Sequence, residues 1–172
     1  MYFTVSDYKY HNFKLMFVPR EYQIEGCDKI SQLYQKGIKR IVRQLPTGAG
    51  KSYEFSMLTH RFISKMQSNV VILVNREVLL TQTVKTLASI GIKADGIIAG
   101  ARRDGGRRQV KVAMVETGFN RIQKNRNFFG KVGLLIVDEA HYGEFKKMYP
   151  HFAGALIVGV TATPLYSTKK DP

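Results

Sequence analysis

With 172 residues the chain has room for one domain of ordinary size and not for two. Its hydrophobic share of 44% suits a globular core, and it holds no apolar run of the roughly 18 residues that a membrane span requires. Lysine and arginine number 27 against 13 aspartates and glutamates, a net charge of +14, so a polyanionic partner is expected, with a solvated basic surface as the plain alternative.

Residues 1–18 alternate loosely between aromatic and polar and predict a short strand or hairpin at the edge of the fold. They lack the basic-then-apolar order of an export signal. Pro19 suits the first turn of a helix. Tyr22, Ile24, Cys27, Ile30, Leu33 and Tyr34 recur at three- and four-residue spacing, which predicts an amphipathic helix stopped at Gly37. Cys27, the single cysteine, reads there as a core or half-buried thiol. It has no partner for an internal disulfide, which fits an intracellular, cytoplasmic setting.

Strand and helix patterns then alternate. Residues 40–45 predict a strand, 46–50 a loop and 51–66 a helix. Residues 70–74 are continuously apolar, as in a strand covered on both faces. Residues 76–90 predict a helix with Val78, Leu79, Thr83 and Leu87 in phase, and 94–99 a short strand. A basic glycine-rich loop follows at 100–109, then an alternating strand at 110–115 and a short helix at 117–124. Residues 132–137 predict another buried strand, 141–148 a helix ending before Pro150, and 155–160 a last strand, with a polar tail from Pro164. This alternation predicts an α/β domain with a mostly parallel central sheet and helices on both faces. Ligands of such sheets bind beyond the carboxyl ends of the strands.

Two motifs fall at those ends. Residues 44–52 read QLPTGAGKS between a strand and a helix, the setting of a phosphate-binding loop. Pro46, Thr47, Gly48, Ala49 and Gly50 would curl backbone N–H groups inward at phosphate oxygens, and the following helix start would favour the anion. Lys51 would reach the β- and γ-phosphates of ATP and Ser52 would offer its hydroxyl to Mg²⁺. Leu45 stands where the general pattern has its first glycine, which disfavours a kinase or GTPase. The second motif is VGLLIVDEAH, an apolar strand running into two carboxylates. Asp138 suits the Mg²⁺ shell and Glu139 suits a general base for the attacking water. The competing account of the carboxylates is a helix start favouring negative charge. His141, taken alone, reads as an ordinary polar residue.

PTGAGKS, DEAH and then TAT (161–163) together resemble motifs I, II and III of superfamily 2 helicases and translocases. Upstream, PREYQ (19–23) resembles the Q-motif, VILVNREVLLTQT (71–83) resembles motif Ia, and ETGFNR (116–121) falls where motif Ib or Ic belongs. The likeness is strongest to type III restriction subunit-like DNA helicases, including phage and bacterial repair or recombination helicases. The resemblance implies a RecA-like phosphate-loop domain over residues 19–164, with 165–172 beginning a linker to a second RecA-like domain. It implies that Gln23 reads the adenine edge with Arg20 and Tyr22 nearby, helix packing being the competing account of Tyr22. His141, Thr161 and Thr163 would couple the nucleotide to domain motion, the strand ending at Thr161 lying between the phosphate-loop strand and the DEAH strand. Asn75, Arg76, Thr117 and Arg121 would contact nucleic-acid phosphates. The loop arginines Arg102, Arg103, Arg107 and Arg108 would add attraction, or form a solvated loop.

The implied function is the ATP-binding half of a DNA motor. Its arginine finger would come from the second domain, so the chain alone is expected to bind nucleotide and turn it over slowly. RNA in place of DNA is one alternative. A different phosphate-loop enzyme and a non-motor, nucleotide-regulated nucleic-acid binding module are the others.

Overall fold

The computed structural model describes residues 18–100, 108–139 and 143–162. The expected N-terminal edge segment up to residue 17, Arg102, Arg103, Arg107, His141, Thr163 and the tail lie outside the described residues. In chain order the elements are α1 (Glu21–Gln35), β1 (Arg40–Gln44), α2 (Lys51–Ile63), β2 (Asn69–Val74), α3 (Glu77–Ser89), β3 (Ala94–Ile97), β4 (Val110–Met114), α4 (Val115–Lys124), β5 (Val132–Asp138), a 3-10 helix (Gly143–Phe152) and β6 (Leu156–Thr161).

The six strands form one sheet in the order β1-β6-β5-β2-β4-β3, every pair parallel. Alternate residues of a strand face opposite sides, and both sides are covered here. Val70, Ile72 and Val74 join a core with Cys27 and Ile30 of α1, Phe55 and Leu58 of α2, and Leu80 and Leu87 of α3. Val71, Leu73, Leu135 and Val137 join a second core with Val115 and Ile122 of α4 and Phe145 and Met148 of the 3-10 helix. The unbroken apolar runs of β2 and β5 follow from this double burial. Among the described residues no helix is long and apolar enough to cross a membrane.

Parallel pairing sends all the carboxyl ends to one edge. Gln44 of β1 is level with Thr161 of β6, and Asp138 of β5 with Val160. β6 thus separates the phosphate-loop strand from the acidic strand, in the order the motifs imply.

Three details differ from the sequence reading. The phase of α3 is set by Leu80, Thr83 and Leu87, and Val78 stands 76% exposed. The stretch read as an α-helix ending before Pro150 is a 3-10 helix that continues to Phe152 with Pro150 inside it. An interior proline blocks an α-helix by losing an N–H and crowding the carbonyl four residues back. The tighter winding instead eclipses residues three apart and turns Phe145 and Met148, both fully buried, to the same side. The third is Lys111. The alternation of 110–115 suggests an outward polar residue, yet Lys111 is 4% exposed and its ammonium donates to the Arg108 carbonyl at 2.8 Å.

Burial lowers the Lys111 pKa from its ordinary 10.5, opposed by the Asp95 carboxylate. The folded state therefore disfavours the charged amine, and the penalty fades as pH rises through the depressed value. Lys111→Met should stabilise the fold at neutral pH by roughly 1 kcal/mol, with the gain shrinking as pH approaches 10.5. Urea unfolding at a series of pH values reads this, and a pH-independent difference would contradict it.

Candidate nucleotide-binding site

The loop after β1 is shaped by two glycines in left-handed conformation, Gly48 at φ +79° and Gly50 at φ +72°. A side chain there would meet its own backbone. Gly50 also has no room, since a Cβ would lie 2.7 Å from Gln23 Nε2. Leu45, the departure from the general pattern, is a core residue, 4% exposed, whose N–H donates to the Thr161 carbonyl at 2.9 Å. At this position the chain extends sheet pairing by one residue and begins its turn at Pro46.

Lys51 opens α2, and its ammonium meets Glu139 Oε1 at 2.7 Å across the end of β6. Ser52 follows it, half-buried at the start of the same helix. Asp138 closes β5 at 8% exposure, and its Oδ1 has no hydrogen-bond partner. Burial pushes the Asp138 pKa up and the neighbouring Glu139 carboxylate adds to the rise, while Lys51 pulls it back. Glu139 has φ +55°, the one positive value at a non-glycine among the described residues. Such backbone is strained and tends to mark functional positions. Thr161, fully buried, ends β6 at this same edge.

The first turn of α1 reaches the loop from the side. Tyr22 donates its hydroxyl to the Ala49 carbonyl at 2.7 Å, and Gln23 Nε2 donates to the carbonyls of Ala49 and Gly50 at 3.1 and 3.2 Å. Gln23 Oε1 accepts from the Arg20 N–H at 3.0 Å, and the residue is 1% exposed. Both ends of the Gln23 amide are therefore engaged with the protein. In this structure the amide ties helix to loop. Tyr22 both packs against the core and bonds the loop. Beside these groups an open cavity of about 530 Å³ is lined by Arg20, Tyr22, Arg43, Pro46, Thr47 and Gly48, among others.

Asn75 follows β2 and Arg76 caps α3, while Thr117 and Arg121 lie on α4 directly after β4. β2 and β4 are neighbours, with Val74 level with Met114. Asn75, Arg76 and Thr117 therefore share the edge that carries the phosphate loop, whereas Arg121 lies in the last turn of α4. Asn75 Oδ1 is buried with no hydrogen-bond partner, and Arg76 is exposed. Arg108 does not join them. It precedes β4 at the opposite edge, where it donates to the Ala94 carbonyl at 2.9 Å and pairs with Asp95 at 3.5 Å.

Sequence reading missed Arg43 and Glu54, which form an ion pair of 2.8 Å just behind the loop. Their strand and helix patterns mark them as ordinary polar positions, and only the fold brings them together.

The chain matches the family described as type III restriction enzyme, res subunit, over residues 16–165. It is 26% identical over 160 residues to the EcoAI type I restriction enzyme endonuclease subunit of Escherichia coli, covering 85% of this chain and 19% of that protein. It is 30% identical over 163 residues to the putative ATP-dependent helicase IRC3 of Saccharomyces cerevisiae, covering 85% of this chain and 23% of that protein. The chain thus spans about a fifth of the length of either relative. In structure it is similar to a nuclease-deletion mutant of the type ISP restriction-modification enzyme LlaGI solved with a DNA substrate mimic, with a TM-score of 0.69 and 18% identity, covering 90% of this chain and 19% of that one.

Gly50→Ala should destabilise the protein more than Gly37→Ala. Both demand left-handed backbone from alanine, which costs about 1–2 kcal/mol, but only at Gly50 does the new methyl group strike Gln23, position 37 being open. Denaturant unfolding of the two variants reads the difference, and equal losses would mean that the Gln23 tether is not tight.

Proposed function

Because this chain belongs to the type III restriction enzyme res-subunit family, we propose that it is the ATP-binding motor domain of a DNA helicase or translocase, with the domain proper at residues 19–164 and a second RecA-like domain closing over the nucleotide. The observation that carries the reading is the convergence of Lys51 and the Asp138–Glu139 pair over the end of β6, with Lys51 on Glu139 at 2.7 Å.

The loop 46–50 and Lys51 would take the ATP phosphates. Magnesium suits the place, because the buried Oδ1 of Asp138 is unpartnered and carboxylate and hydroxyl oxygens are its preferred ligands. Ser52 and Asp138 would hold it, partly through water, and it would supply charge neutralisation on the phosphates. Glu139 would then orient and deprotonate the attacking water. In doing so it must release Lys51, whose ammonium moves from a carboxylate to a phosphate. Thr161, and with it His141 and Thr163, would pass the change to the second domain. Gln23 would read the adenine edge, with Arg20 nearby.

DNA is the partner we favour over RNA. The net charge of +14 suits a polyanion, and the LlaGI structure holds a DNA mimic. Asn75, Arg76, Thr117 and Arg121 would meet its backbone without reading sequence.

The test is ATP turnover by the chain extended through the proposed second domain, with and without DNA. DNA-stimulated hydrolysis should vanish in Lys51→Ala and Glu139→Gln, and the 172-residue chain alone should run about 10³- to 10⁵-fold slower, for want of the arginine finger. Glu139→Gln hydrolysing like the unaltered protein would refute the mechanism, and full-rate hydrolysis by the 172-residue chain would refute the need for a second domain.

A further inference from the structure

We propose that Arg43 and Glu54 are positioning residues for nucleotide-base recognition, acting through the first turn of α1. The proposal rests on the nucleotide reading above and adds to it which residues make the site selective for its base.

One guanidinium ties together the three elements that frame the site. Arg43 lies on β1, the strand that leads into the phosphate loop. Its Nε donates to Glu54 Oε1 at 2.8 Å, and Glu54 stands in the first turn of α2, the helix that leads out. Its Nη2 donates to the backbone carbonyl of Tyr22 on α1 at 3.0 Å. Tyr22 and the next residue, Gln23, are the two that bond the loop carbonyls of Ala49 and Gly50. The position of α1's first turn is therefore fixed twice, by the loop in front and by Arg43 behind.

The pair has been given space. Glu54 is 3% exposed, and burial pushes its pKa up while the Arg43 hydrogen bond and charge pull it back. Gly26, within α1, supplies the room: a Cβ there would lie 2.7 Å from both Arg43 Nη2 and Glu54 Oε1. Its φ is not positive, so nothing in the backbone calls for glycine. Glycine inside a helix costs about 1 kcal/mol against alanine, and that loss is accepted where the ion pair must fit. With Glu54 buried and Arg43 half-buried, the pair is no more stabilising than a well-packed apolar pair of the same shape. Stability therefore does not explain it, whereas direction does. The planar fork of arginine can hold a carboxylate and a carbonyl at a set angle, which the single ammonium of lysine cannot. Arg43 also lines the open cavity beside the loop with Arg20, Tyr22, Pro46 and Thr47.

The experiment compares ADP, GDP and inorganic pyrophosphate binding to the unaltered chain and to the double variant Arg43→Met with Glu54→Gln, which leaves no lone buried charge. Pyrophosphate engages the loop and carries no base. ADP affinity should fall about tenfold and the preference for ADP over GDP should collapse, with pyrophosphate affinity held within about twofold. Arg43→Lys, which keeps a cation for Glu54 and loses the arm to the Tyr22 carbonyl, should show the same base-dependent loss even if the double variant does not fold. Parallel loss of ADP and pyrophosphate would overturn the proposal, since the pair would then merely support the loop, and so would unchanged ADP binding. If the unaltered chain bound neither ligand, the nucleotide reading itself would fall.

Discussion

The ion pair between Lys51 and Glu139 joins residues 88 positions apart in the chain and closes the site. It can form only because β6 lies between β1 and β5. That order puts the loop after one strand and the carboxylates after the other on opposite sides of a narrow gap. A phosphate entering the gap would meet a cation already held in place by a carboxylate, with a second carboxylate buried beside it. The strain at Glu139 and the raised pKa of Asp138 belong to the same arrangement.

Around that pair the loop is held from three directions. Sheet pairing anchors it through Leu45 and the Thr161 carbonyl. The helix start at Lys51 fixes its far end. The α1 residues Tyr22 and Gln23 take two of its carbonyls. These ties leave the loop backbone little freedom to rearrange. Preorganisation of this kind is how a site binds phosphate without spending affinity on ordering itself.

Much of this was legible in the sequence because its signals are local. The glycine spacing of the phosphate loop, the apolar run into Asp138 and Glu139, and the strand–helix alternation each lie within one stretch of chain. The sheet's double cover could be read from the run at 70–74. What escaped depends on distant contacts. Arg43 and Glu54 are 11 residues apart and become partners only once β1 and α2 pack. Lys111 sits in an alternating strand and is buried because β4 is flanked by β2 and β3. Val78 fits the apolar phase of its helix on paper, but packing on the sheet selects the face of Leu80, Thr83 and Leu87 and leaves Val78 outside it. Pro150 marks the end of an α-helix and does not forbid the tighter helix that buries Phe145 and Met148.

The central claim is that Lys51 is shared between Glu139 and the phosphate. The most direct measurement is the affinity of the chain for Mg²⁺·ATP in Glu139→Gln beside the unaltered protein, at fixed salt. If the carboxylate competes with phosphate for the ammonium, removing its charge should tighten binding several-fold, by about 1 kcal/mol, while Lys51→Ala loses affinity. Equal or weaker binding by Glu139→Gln would mean that the ion pair is not what the nucleotide displaces.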